Sequence, residues 1–323
     1  MIKIRIQDEK GFVETDAVSK NCWIDARNVD KEDIERLETE FRIAPELLTD
    51  IMDADEQARL EKEDEYTALI VRLPVSDEKA EVVFYTQPLG IILFSDRIVT
   101  ICQSSSEALD DIVKNRVRGF SIKNKSAFVL NLLGRFAFTF LKYLKELNKR
   151  TNLIKNELQR SIKNNELIQL LSIQKSLVFF TTSIKSNELL LEKLQKSPLI
   201  RFKEDEKDLL EDVVIENRQA IEMANIYSSI LTGTMDAFAS VISNNLNIVM
   251  KRLTVVSIVL MIPTLIYSLF GMNVALPFEE EPGIGWMIII ISLMAAALGA
   301  VFLNRERQVK QAVRQKGKVK KRK

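Results

Sequence analysis

Two long uncharged stretches near the C-terminus constrain this chain more than any other feature. Residues 253–270 have the sequence LTVVSIVLMIPTLIYSLF, and residues 284–303 have the sequence IGWMIIIISLMAAALGAVFL. A helix needs about 20 apolar residues to cross the roughly 30 Å hydrocarbon layer of a bilayer. Both stretches are therefore predicted to span a membrane, the alternative being a pair of helices buried in a soluble core.

The charges around these stretches predict the orientation of the chain. Lys251 and Arg252 precede the first stretch, ten Lys and Arg residues lie within 304–323, and the loop 271–283 has no basic residue. Because basic residues accumulate on the cytoplasmic side, we expect a multi-pass protein of the cell (inner) membrane with both termini in the cytoplasm. The basic tail has no aromatic residue to stack on bases, which favours contact with lipid headgroups over nucleic-acid binding.

Composition excludes several kinds of enzyme. The 323 residues include no histidine and only two cysteines, Cys22 and Cys102. Ser-His-Asp and Cys-His nucleophiles and the usual histidine-rich zinc sites are therefore impossible. The sequence also has no GxxxxGK(S/T) phosphate loop, which argues against an ATP-driven pump. We do not expect an enzyme.

Ahead of the membrane stretches, the pattern predicts an α/β domain followed by long helices. The chain has no proline between Pro198 and Pro263, so one helix of roughly 65 residues, on the order of 100 Å, is expected from about Glu204 into the first stretch. A helix of that length needs partners, which favours an oligomer with a cytoplasmic stalk. The expected segments are a cytoplasmic α/β domain (1–120), a funnel and stalk of long helices (121–246), a first span (247–270), an external loop (271–283), a second span (284–303) and a cytoplasmic tail (304–323).

Within the α/β domain, short β-branched runs predict strands and capped amphipathic runs predict helices. The predicted strands are MIKIRI, CWIDA, YTALIVRL, VVFYT, LGIILF and RIVTIC, and the predicted helices are DKEDIERLETEF and SSSEALDDIVKNRV. Two long periodic segments beginning at about Lys125 and Asn164 predict two further helices.

The polar residues of the first span fall on one face of its helix, which we call the polar seam. They recur at alternating spacings of three and four residues, as in a helix of a left-handed bundle. Polar side chains within hydrocarbon face protein or water rather than lipid, so the polar seam either packs helices together or lines a pore. Its members are Asn247, Met250, Thr254, Ser257, Met261, Thr264, Ser268 and Gly271.

Gly271, Met272 and Asn273 stand at the outer end of the polar seam, in YSLFGMNVALPF. Gly-Met-Asn at the end of the first of two C-terminal spans resembles the signature of the CorA family of magnesium transporters. The spans, their flanking charges and the long preceding helix agree with that family over the whole chain. The resemblance implies a funnel-shaped homopentamer, with the first span of each subunit around the axis and the second span outside.

The resemblance also implies roles for single residues. Gly271, Met272 and Asn273 would form the selectivity filter, and the polar seam together with Leu253 would line the pore. Thr264 and Asn247 would form polar rings, and Met250, Leu253 and Met261 would form apolar constrictions. Mg²⁺ gives up its water reluctantly, so neutral oxygens that hydrogen-bond the hydrated ion suit its selection. The loop acids Glu279, Glu280 and Glu281 either concentrate cations at the outer mouth or are simply solvated.

Acidic residues crowd the expected start of the stalk helix, either as a solvated face or as a site for divalent ions. By resemblance, Asp212 is the regulatory metal ligand, 35 residues before Asn247. Its partner acid would lie on the α/β domain of the next subunit, with Asp77 the first candidate and Asp53 and Glu78 behind it. Glu211 is a weaker candidate ligand of the same regulatory site. The crowded acids are Glu204, Asp205, Glu206, Asp208, Glu211, Asp212 and Glu216.

The resulting hypothesis is passive influx of hydrated Mg²⁺, with Co²⁺ or Ni²⁺ as further cargo. Intracellular Mg²⁺ bound between cytoplasmic domains would close the pore. One alternative keeps the architecture but transports Zn²⁺ or another divalent cation, or exports its cargo. An alternative of another class is a membrane-anchored oligomeric scaffold or sensor.

Overall fold

A computed structural model describes residues 1–8, 11–117, 119–160, 164–200, 202–272, 283 and 285–301. The chain divides into two compact units, Met1–Asp236 and Ala237–Lys323. The first unit contains a mixed sheet and long helices, whereas the described part of the second consists largely of apolar helix.

The strands of the first unit form one sheet. They are β1 (Ile2–Asp8), β2 (Gly11–Thr15), β3 (Cys22–Arg27), β4 (Arg59–Lys62), β5 (Tyr66–Ser76), β6 (Phe84–Phe94) and β7 (Arg97–Cys102). Their order across the sheet is β2-β1-β3-β7-β6-β5-β4. Neighbouring strands pair antiparallel except β3 and β7, which are parallel. The chain therefore crosses over between β3 and β4, and the helices of that crossover cover one face.

Helices cover both faces of this sheet. They are α1 (Lys31–Thr39), α2 (Pro45–Met52), α3 (Glu107–Val113), α4 (Lys125–Arg160), α5 (Asn164–Lys196) and α6 (Glu204–Phe270), and a further helix, α7, covers Gly285–Val301. On one face, Leu37 and Ile51 of α1 and α2 join Ile24 in an apolar core. On the other face, Trp23 packs in a core with Phe128 of α4, and residues of α5 and α6 contribute to the same core.

The predicted fold class is confirmed: an α/β domain is followed by long helices, and α6 continues without a break to Phe270. The prediction of separate strands at VVFYT and LGIILF was wrong, since the last three residues of the first and all of the second belong to β6. The reason is the position of Pro88, which a sheet tolerates only where no backbone donor is needed. Pro88 lies opposite Arg72 of β5, and the Arg72 backbone bonds to Asn187 of α5 instead.

Asn187 replaces a missing strand partner. Residue pairing between β4 and β5 ends at Arg59 and Ile70, two residues before Arg72. The Arg72 amide donates to the Asn187 carboxamide oxygen at 2.8 Å, and the Asn187 amide donates to the Arg72 carbonyl at 2.8 Å. The side chain thereby satisfies two buried backbone groups that would otherwise be costly.

The Arg72 side chain is a second link between the sheet and its surroundings. Nε donates to Ser183 of α5 at 3.3 Å, and Nη1 donates to the Ala54 and Glu56 carbonyls at 2.6 and 2.9 Å. Nη2 donates to the carbonyl and hydroxyl of Thr86 at 3.2 and 2.9 Å. All five guanidinium donors are thus satisfied by neutral acceptors, and desolvation lowers the pKa of Arg72.

We expect Asn187→Leu to destabilise the first unit by about 2–4 kcal/mol, because it leaves two buried backbone groups of Arg72 without partners. Thermal unfolding of the purified protein measures the effect. Asn156→Leu is the matched control, since Asn156 is exposed on α4. Equal stability of the two variants would contradict the role assigned to Asn187.

Candidate ion pathway

The apolar surface of α6 differs from that of the other long helices. By length and composition, three described helices could cross a membrane: Lys125–Leu158, Asn164–Lys196 and Glu204–Phe270. The most apolar windows of the first two are 61% and 39% buried, whereas that of the third is 0% buried. The first two bury part of their apolar surface within the α/β unit. No residue of the window in α6 is fully buried by the described part of the chain, as expected of a surface that meets lipid or further copies.

In the second unit, α7 packs against one face of α6. A Cβ placed on Gly299 would lie 2.9 Å from Cδ1 of Ile262, so a larger residue there would require the Ile262 side chain to shift. Small residues at such positions let membrane helices pack tightly. Ser292 and Ala296 of α7 are buried. The partly buried positions of α6 in this region are Val255, Val259, Ile262, Pro263 and Ile266.

The polar seam lies on the opposite face of α6. At 3.6 residues per turn, its centre is about 160° around the helix from the centre of the partly buried face. The second helix of the same chain therefore does not cover the polar seam. Leu253, beside the polar seam, is also exposed. The members of the seam, Asn247, Met250, Thr254, Ser257, Met261, Thr264, Ser268 and Gly271, are all exposed.

Three hydroxyls of the polar seam use their protons within the helix. Thr254 donates to the Met250 carbonyl at 2.8 Å, and Ser257 donates to the Leu253 carbonyl at 3.0 Å. Thr264 donates in the same way, four residues back, at 2.9 Å. Each hydroxyl oxygen keeps lone pairs as acceptors. The seam thus offers acceptors, and the water shell of a cation presents donors.

At the outer end of the seam, α6 ends and the candidate filter begins. The Gly271 amide donates to the Tyr267 carbonyl at 2.9 Å. A Cβ at Gly271 would lie 3.2 Å from that carbonyl, which favours glycine at this position. Met272 is exposed. Asn273 and the loop acids Glu279, Glu280 and Glu281 lie outside the described residues, so their roles stay predictions.

Most of the acids at the start of α6 face solvent, but Glu206 is buried and accepts hydrogen bonds from Asn124 and Ser126. Asp212 and Glu211 are exposed, and Glu216, one turn further on, is partly buried. Burial and the negative charge of Asp212 raise the pKa of Glu216. Among the residues the structure describes, no three acidic or cysteine side chains surround a space for a metal ion. A single chain therefore does not assemble a metal site from Asp212 and the other predicted acids.

The loop between β5 and β6 holds Asp77 in a fixed turn. The Asp77 carboxylate accepts the Lys79 amide at 2.9 Å, and the Asp77 amide donates to the Val83 carbonyl at 2.9 Å. Glu78 pairs with Arg150 of α4 at 2.6 Å, so its charge is already engaged. Asp77 itself is exposed.

Two further acids of the first unit have local partners. Asp53 follows α2 and accepts the Asp55 amide at 3.0 Å. Glu81 pairs with Lys175 of α5 at 2.8 Å, and its carbonyl accepts the Ser172 hydroxyl at 2.7 Å. Sequence reasoning missed the basic residues that anchor this loop, because their partners depend on how α4 and α5 lie against the sheet.

Comparison with known proteins agrees with this architecture. The "Cobalt/magnesium transport protein CorA" of Methanocaldococcus jannaschii is 23% identical over 277 residues, which cover 84% of this chain and 86% of that protein. The "Magnesium transport protein CorA" of Helicobacter pylori is 22% identical, covering 95% and 96%. The complete structure of the CorA magnesium transporter from M. jannaschii has the same fold, with a TM-score of 0.79 at 21% identity, over 94% of this chain and 98% of that one.

A family comparison covers most of the sequence. The sequence profile described as "CorA-like Mg2+ transporter protein" matches residues 18–305, a range that includes most of the sheet, the long helices and the Gly-Met-Asn motif. This chain therefore belongs to the CorA-like Mg²⁺ transporter family.

Proposed function

We propose that this protein is a channel-like transporter through which hydrated Mg²⁺ passes along the polar seam of α6. The observation that carries the proposal is the exposure of the whole seam on the face opposite α7. A polar face within hydrocarbon needs protein or water. Several copies of α6 around an axis give it both.

The chemistry of the seam suits a strongly hydrated ion. Its members carry no charge, so they present hydroxyl, amide and carbonyl oxygens without the tight binding of a carboxylate. Mg²⁺ keeps several waters and those waters need acceptors. The relatives named above are magnesium and cobalt/magnesium transport proteins, which supports Mg²⁺ as cargo and Co²⁺ as secondary cargo.

The proposed assembly is a homopentamer in the cell membrane, with α6 inside, α7 outside and both termini in the cytoplasm. The uncovered apolar window of α6 supports self-association. Transport requires no coupled reaction, because a divalent ion that enters a negative interior gains roughly 4.6 kcal/mol per 100 mV.

We expect Ser257→Leu to reduce Mg²⁺ uptake by at least about tenfold, because a bulky apolar ring narrows and dries the path. Val256→Leu is the matched control: it adds bulk on the next residue of α6, which is exposed but outside the polar seam. Flux into proteoliposomes containing a fluorescent Mg²⁺ indicator measures both. Equal flux through the two variants would count against the polar seam as the ion path.

The proteoliposome flux assay also tests the proposed selectivity filter. Asn273→Ala is expected to abolish Mg²⁺ uptake and leave the oligomer intact in size-exclusion chromatography, since the amide is proposed to hydrogen-bond the hydrated ion. Asn245→Ala, at an exposed position of α6 outside the polar seam, should keep normal uptake. Normal flux through Asn273→Ala would defeat the assignment of this residue.

We further propose that intracellular Mg²⁺ closes the pore by binding between subunits at Asp212. The raised pKa of Glu216 indicates that negative charge is already crowded beside Asp212. A divalent cation relieves such repulsion. Asp77, exposed in its anchored turn, is the proposed ligand from the neighbouring subunit. Once the cation holds the subunits together, the Met250 and Leu253 rings form the closed, poorly conducting constriction.

Asp212→Asn is expected to require several-fold more internal Mg²⁺ for half-inhibition of uptake, because the bridging ion loses a charged ligand. Asp205→Asn, in the first turn of α6, is the control for a general loss of negative charge. Flux is measured as internal Mg²⁺ is varied. If both variants keep the inhibition of the unmodified protein, Asp212 does not regulate the pore.

A further inference from the structure

A pair of hydroxyl groups joins the two helices of the second unit. The Ser292 hydroxyl of α7 lies 3.0 Å from the Tyr267 hydroxyl of α6, and 2.9 Å from the Ile289 carbonyl. Ser292 is the donor in the contact with Tyr267, and the Ile289 carbonyl is a second acceptor within reach of its one proton. The hydrogen bond from Ser292 to Tyr267 therefore links α7 to α6.

The two hydroxyls differ in burial. Ser292 is fully buried and its neighbours along α7 are apolar, whereas Tyr267 is 45% exposed. A hydroxyl in such surroundings is costly when it lacks a partner. The bond therefore favours one rotational setting of α7 against α6 over the settings that separate the two hydroxyls.

Tyr267 also holds the start of the candidate filter. Its backbone carbonyl accepts the Gly271 amide at 2.9 Å, and a Cβ placed on Gly271 would meet that same carbonyl first. One residue thus bonds to α7 through its side chain and to Gly271 through its backbone. Tyr267 lies outside the polar seam and carries no role from the Gly-Met-Asn motif.

We propose that Tyr267 is a positioning residue for ion selection. With Ser292 it fixes the last turn of α6 against α7, and it thereby sets how Gly271 and Met272 meet the hydrated ion. This inference rests on the proposed function, since it assigns Tyr267 to the outer end of that path. Loss of the hydroxyl pair should change ion affinity and the preference for Mg²⁺ over Co²⁺ more than it changes the maximal rate.

The test uses Tyr267→Phe and Ser292→Ala in the full-length protein in liposomes, singly and together. Each single variant is expected to raise the Mg²⁺ concentration for half-maximal uptake roughly three- to tenfold, the range of a hydrogen bond between membrane helices. The maximal rate should stay within about twofold, and inhibition by Co²⁺ should change in the same variants. The double variant should resemble either single one, because both remove one shared bond.

Controls separate this effect from the chemistry of the substitutions. Tyr227→Phe and Ser229→Ala make the same changes in the part of α6 that belongs to the first unit, where Ser229 donates to the Asn225 carbonyl. Both should retain the half-saturating concentration of the unmodified protein.

The experiment distinguishes a failure of the proposed transport function from a failure of the positioning role of Tyr267. If the unmodified protein passes neither Mg²⁺ nor Co²⁺, the proposed function is wrong. If it passes Mg²⁺ and the assembled variants keep its half-saturation and Co²⁺ inhibition, the positioning role is wrong. Loss of the oligomer in both single variants would also overturn the inference, since the pair would then support assembly alone. Additive effects in the double variant would likewise overturn it.

Discussion

A polar helix face cannot rest against hydrocarbon, and this requirement organises the second unit of the chain. The helix α7 packs where α6 presents Val255, Val259 and Ile262, and the close approach at Gly299 makes that contact tight. The polar seam remains on the other side. A two-helix unit arranged in this way is incomplete alone in a membrane, because its uncovered polar face needs protein or water rather than hydrocarbon.

Polar groups in the first unit also need hydrogen-bond partners, but there they find them inside the fold. There, Arg72 and Asn187 replace strand pairing where β4 ends, and every guanidinium donor of Arg72 has an acceptor. At this point the α/β unit satisfies its buried polar groups internally, whereas three hydroxyls of the polar seam use their protons within the helix and leave acceptors exposed. The first arrangement favours a stable fold, and the second favours interaction with a mobile hydrated ion.

Much of this fold was predictable because its strongest signals are long. The absence of proline between Pro198 and Pro263 predicted the continuous α6, and periodicity predicted α4 and α5. Short elements were harder to predict. The helix α2 and the strands β2 and β4 were missed because four to eight residues carry little periodicity, and β6 was divided at Pro88 because its tolerance depends on the pairing register with β5.

In the candidate site, too, some features follow from the sequence and others require the tertiary structure. The polar seam was predictable because its spacing of three and four is a property of one helix, and its free face in the structure agrees with that spacing. The contact between Tyr267 and Ser292 was not, because it requires knowing which face of α7 meets α6. The proposed regulatory pairing between Asp212 and Asp77 is harder still to predict, since a single chain does not bring those acids together as a metal site within the described residues.

Charged side chains are distributed unevenly along α6. Acidic side chains crowd its start, and all of them are exposed except the buried Glu206 and the partly buried Glu216. Residues 253–270 carry no charge. Strong binding and fast passage of an ion are incompatible at one position, because a tightly held ion leaves slowly. Under the proposed function, α6 uses its carboxylates for sensing and its neutral oxygens for passage, so the two demands are separated along its length.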